Sequence, residues 1–492
     1  MVIFFGSLSS AGFGFDQAWW ASIMSSDKFT ERFGTYSINA NAWSLTPSQQ
    51  SVGTGVGYVG VILGLLAASP VNEQLGRKKT MFLQTGVVTV GIIIESCTKD
   101  SFAQFLVGKA IVFFGGGIAT NVIPVYQAEV APPQLRGLMA GTYNAFLMIG
   151  GLFAALIVYL CRHIPSDWAW RAVVVAQIGI PFLGWIGLPF LPESPYWLVQ
   201  QGRVIEAASA LRRLRGHDFP AEAEVDRLHQ QAVQQRNMEG QEGISWMDCI
   251  KHPVYLRRTI ISFATQVFQQ AQGISFVANY QAVFLSQIGF RQVLLLAVII
   301  YVIGIVANII GMLSSDRLGR RSTLLYSAGC LAAFMLVIGG LTTQGPSQMS
   351  YAMQLTAVAM LVLWFFMFQV TWGPLAWVIT SEVPPSAVRE KMVSLSGLAA
   401  YGTGLIIVFI NPHVQDKIGG NVAFIYGGLS IVSFFFVYFL VPELRRRSLE
   451  DIDEMFNERL PVKAFSSYVC KNRTSKELEE PTTEAAHVDN LP

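Results

Sequence analysis

The chain has 492 residues, of which 52% are hydrophobic and only 13% charged, with a mean hydropathy of +0.44. A soluble domain carries about 25% charged residues, so much of this surface must face lipid and a water-soluble globule is excluded. A net charge of +2 says little by its sum; where the charges fall matters more, and no nucleic-acid partner is expected.

The first apolar stretch, about 2–24, holds a carboxylate, Asp16 in GFGFDQAWW. An ionised side chain at the centre of a bilayer costs about 2.5–3.5 kcal/mol on insertion scales. Asp16 therefore reads as an ion- or substrate-handling group, against the plainer alternative of capping a kink beside Gly12 and Gly14. Further apolar windows long enough to span a bilayer (about 20 residues) fall at 50–70, 80–97, 102–127, 138–160 and 172–191. A polar stretch at 192–257, rich in Ala, Arg, Glu and Gln, predicts short amphipathic helices such as EAASALRRLR. Six more windows follow at 259–286, 290–313, 322–342, 352–380, 393–411 and 421–441.

The pattern predicts an all-α integral membrane protein of twelve spans. Its parts are an N-terminal half (1–191), a central loop (192–257), a C-terminal half (258–442) and a tail (443–492). The tail starts basic at Arg445, Arg446 and Arg447, continues as one helix over SLEDIDEMF, and turns polar after about Val462, where disorder is expected. Five scattered cysteines show neither a disulfide frame nor metal spacing.

Basic residues set the orientation. With both termini cytoplasmic, only Lys28, Arg32, Lys99, Arg162, Arg171, Arg291 and Lys417 of the 34 Lys and Arg fall outside, with Lys109 inside a span. The reverse orientation would put most of the positive charge outside. Glu95 lies nearer a helix end and is expected to reach water.

The two halves repeat. LGRKK at 75–79 is echoed by LGRRS at 318–322. AEVAPPQLRG carries Glu129 and Arg136, and SEVPPSAVRE carries Glu382 and Arg389, each pair seven residues apart. LPES at 191–194 is matched by VPEL at 441–444. Two repeated bundles around a midplane site is a secondary-transporter plan. Arg77, Glu129 and Arg136, with Arg320, Glu382, Arg389 and Asp316 of DRLGRR, form a candidate cytoplasmic gate. Ion links that hold when one side is closed and break when it opens give the bistable element that alternating access needs. A bias of basic residues to the inside explains the arginines but not their acidic partners at equal spacing.

In the seventh window Gln269 and Gln270 precede Gly273. Amides donate and accept without charge, which suits a neutral polyhydroxyl ligand; the alternative is interhelical glue. Lys109, the basic residue inside a span, suggests a pair with Asp16. Its alternative is snorkelling to an interface.

LGRKK and DRLGRR, VYQAEVAPPQLRG, PESPYWLVQQGRVIEA, QQAQGIS, GPLAWVITSE and PELRRRSLEDID together resemble the sugar porter family of the major facilitator superfamily. PESPYWLVQQGR, LRGLMAGTYNAF and TSEVPPSAVREK look most like its fungal branch, particularly the α-glucoside (maltose-type) permeases. The resemblance implies that Gln269, Gln270 and Ser275 fall at sugar-contacting positions, with Asn279 one turn on. It likewise places Asn144 at a polar sugar position and Trp377 where an aromatic stacks on the sugar ring. Tyr401 stands where some relatives have Trp. It further implies that Asp16 and a base on the fourth span are partners in proton coupling; here that base is Lys109, where relatives have Arg. The first inner loop reads NEQLGRKK where the family has an Asp-Arg pair, the tail reads PELRRRSLE where a PETKG-like string is common, and the leader usual in fungal members is missing, as in a trimmed start.

The expected function is proton-coupled uptake of a neutral sugar, a hexose or an α-glucoside, by alternating access. No cofactor is expected beyond the proton gradient. The expected protein is a monomer in the plasma membrane. An uncoupled sugar, polyol or quinate facilitator and a transporter-like sugar sensor are the alternatives. A drug antiporter fits less well because the fifth window lacks a Gly-Pro kink. An enzyme is not expected: nothing resembles a nucleophile elbow, a phosphate loop or a metal cluster.

Overall fold

The computed structural model describes residues 2–470 apart from 38–41, 131–135, 217–218, 242–246, 291, 345–347, 386–387, 446, 448 and 469. Its first half is built from α1 (Val2–Ile23), α3 (Pro47–Leu75), α4 (Arg77–Ser96), α5 (Phe102–Val130), α6 (Arg136–Cys161) and the pair α7 (Trp168–Ala176) and α8 (Gly179–Gly187). Between α1 and α3 lie a short helix α2 (Asp27–Phe33) and a hairpin of β1 (Thr35–Ser37) and β2 (Ala42–Ser44), paired antiparallel with Tyr36 opposite Trp43. The polar stretch folds into α9 (Pro195–Gln200), α10 (Val204–Arg215), α11 (Ala221–Gln241) and α12 (Asp248–Lys251). The second half comprises α13 (Pro253–Gln269), α14 (Ser275–Gln287), α15 (Val293–Leu318), α16 (Arg320–Thr342), α17 (Tyr351–Val370), α18 (Trp372–Glu382), α19 (Arg389–Ile418) and α20 (Val422–Leu440), and the tail carries α21 (Leu449–Asn457). Taking α7–α8, α13–α14 and α17–α18 as interrupted single spans, these helices account for the twelve apolar windows.

Local chemistry places the helix ends. Thr46 Oγ1 accepts from Gln49 N at 3.2 Å while Gln49 Oε1 accepts from Thr46 N at 2.9 Å, a reciprocal cap with Pro47 at the first helical position. Within lipid, helices gain little from hydrophobic association and rely on close approach through small residues. A Cβ on Gly14 of α1 would lie 1.9 Å from Leu147 O of α6, and one on Gly150 of α6 would lie 1.8 Å from Ala11 O. Gly64 and Gly117 play the same part between α3 and α5, at 2.1 Å from Phe114 O and 2.3 Å from Val61 O.

The halves meet where α3 packs on α19, α6 on α15 and α1 on α14. At the end that carries α2 and the hairpin, Trp20, Phe29, Phe33, Phe105 and Trp170 form a buried aromatic cluster. Here α3 and α19 also touch: Ser51 Oγ donates to Phe409 O at 2.9 Å. The opposite end holds the turns at Gly76 and Gly319, α9 to α12 and the tail, and is called the basic end below.

Over 462–470 the tail departs from the expected disorder, while residues 471–492 lie outside the described residues. Phe465 and Cys470 are buried, and Arg447 Nη2 donates to Phe465 O and Tyr468 O at 3.1 and 2.8 Å. Helix α21 sits at the foot of α13, where Asp453 accepts from the 1% exposed Arg258 at 2.5 Å. The polar composition of this segment concealed three apolar anchors, Met455, Phe456 and Phe465, that fold it back on the bundle.

Candidate functional site

Between the halves lies a cavity of about 10 Å³ bordered by Gln17, Trp20, Thr54, Tyr58, Lys109 and Asn279, with Tyr401 on its α19 side. That is room for about one water. In this conformation the cavity is too small for any larger ligand.

Two helix interruptions face each other across the C-terminal half. Residues 270–274 form a π turn in which Gly273 adopts φ +122°, a conformation that disfavours any side chain. In the other, Thr371 breaks α17 from α18 with φ −118° and ψ −85°. Gln269 bridges the two: its Nε2 donates to Trp372 O at 3.2 Å and Gly373 O at 3.0 Å. Here Gln269 is interhelical glue, tying α13 to the first turn of α18 through its amide.

Its Oε1 accepts from Gln270 Nε2 at 3.2 Å, and Gln270 Oε1 accepts from Ser275 Oγ at 2.7 Å. Asn279 Nδ2 donates to Ser275 O at 2.8 Å and across the interface to the Tyr58 hydroxyl at 3.2 Å. The structure thus brings Gln269, Gln270, Ser275 and Asn279 into one polar string that reaches the cavity through Asn279. Asn144 is half-buried on α6 and does not border the cavity. Trp377 is 40% exposed on α18 and is likewise absent from the cavity wall, whereas Tyr401 forms part of it.

The acid and base of the first half are both deeply buried, Asp16 at 5% and Lys109 at 1% exposure, so Lys109 does not snorkel. They are not in ion-pair contact. Gln177, its amide turned so that both ends are satisfied, donates to Asp16 Oδ1 at 2.9 Å and accepts from Trp19 Nε1 at 2.5 Å. Lys109 Nζ instead sits 3.4 Å from the centroid of the Trp20 ring, a cation–π contact, and has no hydrogen-bond partner among the described residues. Trp20 Nε1 donates to Thr54 Oγ1 at 3.0 Å, tying this ring to α3. Glu95, expected to reach water, is 1% exposed. The last turn of α4 packs on α5 through Gly91 and Gly108, which draws its carboxyl inside.

At the basic end the candidate gate residues tie helices within each half. Arg77 grips Glu129 with two parallel bonds of 2.9 and 2.7 Å, joining the start of α4 to the end of α5. Arg320 Nη2 bonds Glu382 Oε1 at 3.1 Å, joining α16 to α18. Arg389 Nε donates to Pro384 O at 3.4 Å. The side chains of Arg136 and Asp316 lie outside the described residues. Among the described ion pairs none crosses between the halves. These pairs are struts inside each half, and the repeat in sequence reflects a repeated strut. Arg77→Lys keeps the charge and loses the fork, so a loss of about 1–2 kcal/mol is expected. Thermal unfolding of the purified protein measures it.

Several working residues escaped the sequence reading. Glu193 and Glu443, legible only as part of the LPES and VPEL repeat, cap the helices that follow the glycine turns. Glu193 accepts from Lys78 N at 3.0 Å, and Glu443 from Arg320 N at 2.8 Å. Gly76 and Gly319, at φ +84° and +83°, leave room for them: a Cβ would stand 2.7 Å from Glu193 Oε2 and 2.9 Å from Glu443 Oε2. Tyr58, Trp20 and Gln177 carried no signal, because their roles depend on neighbours from other helices.

The family model described as Sugar (and other) transporter matches residues 2–456. A probable glucose transporter of Neurospora crassa is 27% identical over 468 residues, covering 93% of this chain and 79% of its own length. The high glucose sensor of Saccharomyces cerevisiae is 30% identical over 446 residues, 87% of this chain and 57% of the sensor. A high-affinity gluconate transporter of Schizosaccharomyces pombe is 25% identical, covering 95% of this chain and 85% of that one. Among solved structures, the proton:xylose symporter XylE of E. coli bound to 6-bromo-6-deoxy-D-glucose superimposes with a TM-score of 0.74 at 21% identity, over 92% of this chain and 98% of that chain. That likeness establishes the fold: two six-helix halves of the major facilitator type.

Proposed function

We propose that this chain, which belongs to the sugar (and other) transporter family of the major facilitator superfamily, takes up a neutral hexose together with a proton. It is a multi-pass membrane protein and not an enzyme. The observation that carries the proposal is a buried acid and a buried base in the first half, with the base opening on the cavity between the halves. Charged groups kept at such depth mark ion pathways.

The cycle proceeds as follows. With the cavity open to the outside, a sugar displaces water from Gln270, Ser275 and Asn279, whose amides and hydroxyl replace its hydration. A proton neutralises Asp16 and loosens its bond to Gln177. Helix α1, which carries Asp16, Trp19 and Trp20, then shifts against α3, α8 and α14, and the cavity opens at the basic end. Release of the proton restores the first state. The basic end with both termini is cytoplasmic in this cycle, by the distribution of Lys and Arg, and the protein acts as a monomer in the plasma membrane.

The relatives named above carry glucose and gluconate names, which favours a hexose over the α-glucoside suggested by the sequence strings. The test is uptake of labelled glucose, xylose, maltose, sorbitol and quinate in a transport-null yeast, with a pH electrode in the medium. Glucose is expected to accumulate and to alkalinise the medium. No accumulation of any sugar or polyol would overturn the sugar assignment. Equilibration of glucose without proton movement would instead leave an uncoupled facilitator.

A further inference from the structure

Tyr58 belongs to α3 of the first half, yet its ring reaches into the second. It lies on Gly404 of α19, where a Cβ would stand 2.4 Å from Tyr58 Cε1. The fit is reciprocal: Phe409 of α19 lies on Gly55 of α3, where a Cβ would stand 2.2 Å from Phe409 Cε2. The two helices interlock, each ring in the notch that the other helix leaves by lacking a side chain. Past its notch, the Tyr58 hydroxyl accepts from Asn279 Nδ2 of α14 at 3.2 Å. Tyr58 and Asn279 both border the cavity between the halves.

That bond occupies a donor that a sugar needs. A carboxamide has two N–H donors. Asn279 gives them to Ser275 O at 2.8 Å and to the Tyr58 hydroxyl, so no donor of this amide is left over. The Tyr58 hydroxyl offers Asn279 the same chemistry as a sugar hydroxyl. A sugar bound at Asn279 must therefore displace it. When the sugar leaves, the phenol oxygen returns to an amide that would otherwise be buried with an unmade bond, which is costly.

We propose that Tyr58 is a built-in stand-in for the sugar, a positioning residue whose hydroxyl occupies Asn279 in the empty carrier and lets the halves meet without substrate. The inference rests on the sugar-uptake reading. Net uptake requires the empty carrier to pass back through the compact form, whereas exchange of sugar for sugar uses the loaded carrier in both directions. Without the hydroxyl, the empty compact form keeps a bare Asn279 donor. The loaded form is spared, because there the sugar holds that donor. Loss of the hydroxyl thus slows the return of the empty carrier more than it slows the loaded one.

The test compares wild type, Y58F and G404A in lipid vesicles with labelled D-glucose. Y58F removes the hydroxyl and keeps the ring. G404A fills the notch with a methyl group and pushes the ring away from Asn279. In both, the ratio of exchange rate to net uptake rate is expected to rise about fivefold, the share of one net hydrogen bond. The glucose concentration that half-saturates Y58F is expected to fall by a similar factor, since no internal competitor remains. In sugar-free Y58F, the backbone amides of α3 and α19 are expected to exchange hydrogen for deuterium faster than in wild type. An unchanged ratio of exchange to net uptake in Y58F overturns the proposal. So does loss of both activities together, because the loaded carrier does not need the hydroxyl. Faster deuterium exchange in Y58F, with no glucose transport by wild type, overturns the sugar-uptake reading and leaves Tyr58 as the group that closes the empty form. Deuterium exchange equal to that of wild type overturns that role as well.

Discussion

Asp16→Asn is expected to abolish accumulation of sugar against its gradient while leaving exchange of sugar across the membrane in place. Asn keeps the size and the hydrogen-bonding reach of the side chain, so Gln177 retains a partner at that position. It cannot take up a proton. A symporter converts each 1.4 kcal/mol of proton gradient into about a tenfold sugar ratio, and without the acceptor that ratio falls to one. The measurement is labelled D-glucose in vesicles under an imposed pH gradient, paired with counterflow at equal pH. The symport mechanism fails if D16N still concentrates glucose as the wild type does. Loss of both activities would point to a folding defect, which thermal unfolding of the same preparation separates.

The other large effect lies at the crossing of α1 and α6. Gly150→Ala puts a methyl group 1.8 Å from Ala11 O, and Gly14→Ala puts one 1.9 Å from Leu147 O. Both obstacles are backbone, which cannot rotate away as a side chain can, so the helices themselves must separate. Overpacking of this kind costs about 1–3 kcal/mol and occasionally more, and each variant is expected at or above the upper end of that range. Gly329→Ala is the control: a Cβ there meets nothing within 4 Å, on a helix that Ala favours. Yield of monodisperse protein and its melting temperature are the readouts. Equal stability of G150A and G329A would show that α1 and α6 are not held at this spacing. Because α1 carries Asp16 and shifts in the proposed cycle, partial folding of G150A with lost transport is the milder expected form.

Much of the site was legible as residue types and much less as geometry. Gln269 could be read from an amide in an apolar span, but both a sugar ligand and a helix bridge call for an amide there. Only the approach of the first turn of α18, whose Trp372 and Gly373 carbonyls accept from Gln269, decides for the bridge in this conformation. The arginines and glutamates at equal spacing in the two halves marked a repeated unit, yet spacing along the chain does not say which helices a guanidinium joins. Arg77 and Arg320 each turned out to brace their own half. Glu95 lies near a helix end, yet close helix packing through Gly91 and Gly108 buries it; nearness to a helix end along the chain is not nearness to water.

What the sequence determined by itself was the class of solution. Hydrophobic length, the six-and-six count and the repeated loop motifs are sums over many residues, and lipid permits few folds that satisfy every backbone group. What the tertiary structure alone decided was the pairing of the few charges inside. Asp16 accepts from Gln177, Lys109 rests on Trp20, and Glu95 packs against Gly108. A buried charge takes its partner from whichever helix packs against it, and that depends on crossing points set by glycines far away in the chain.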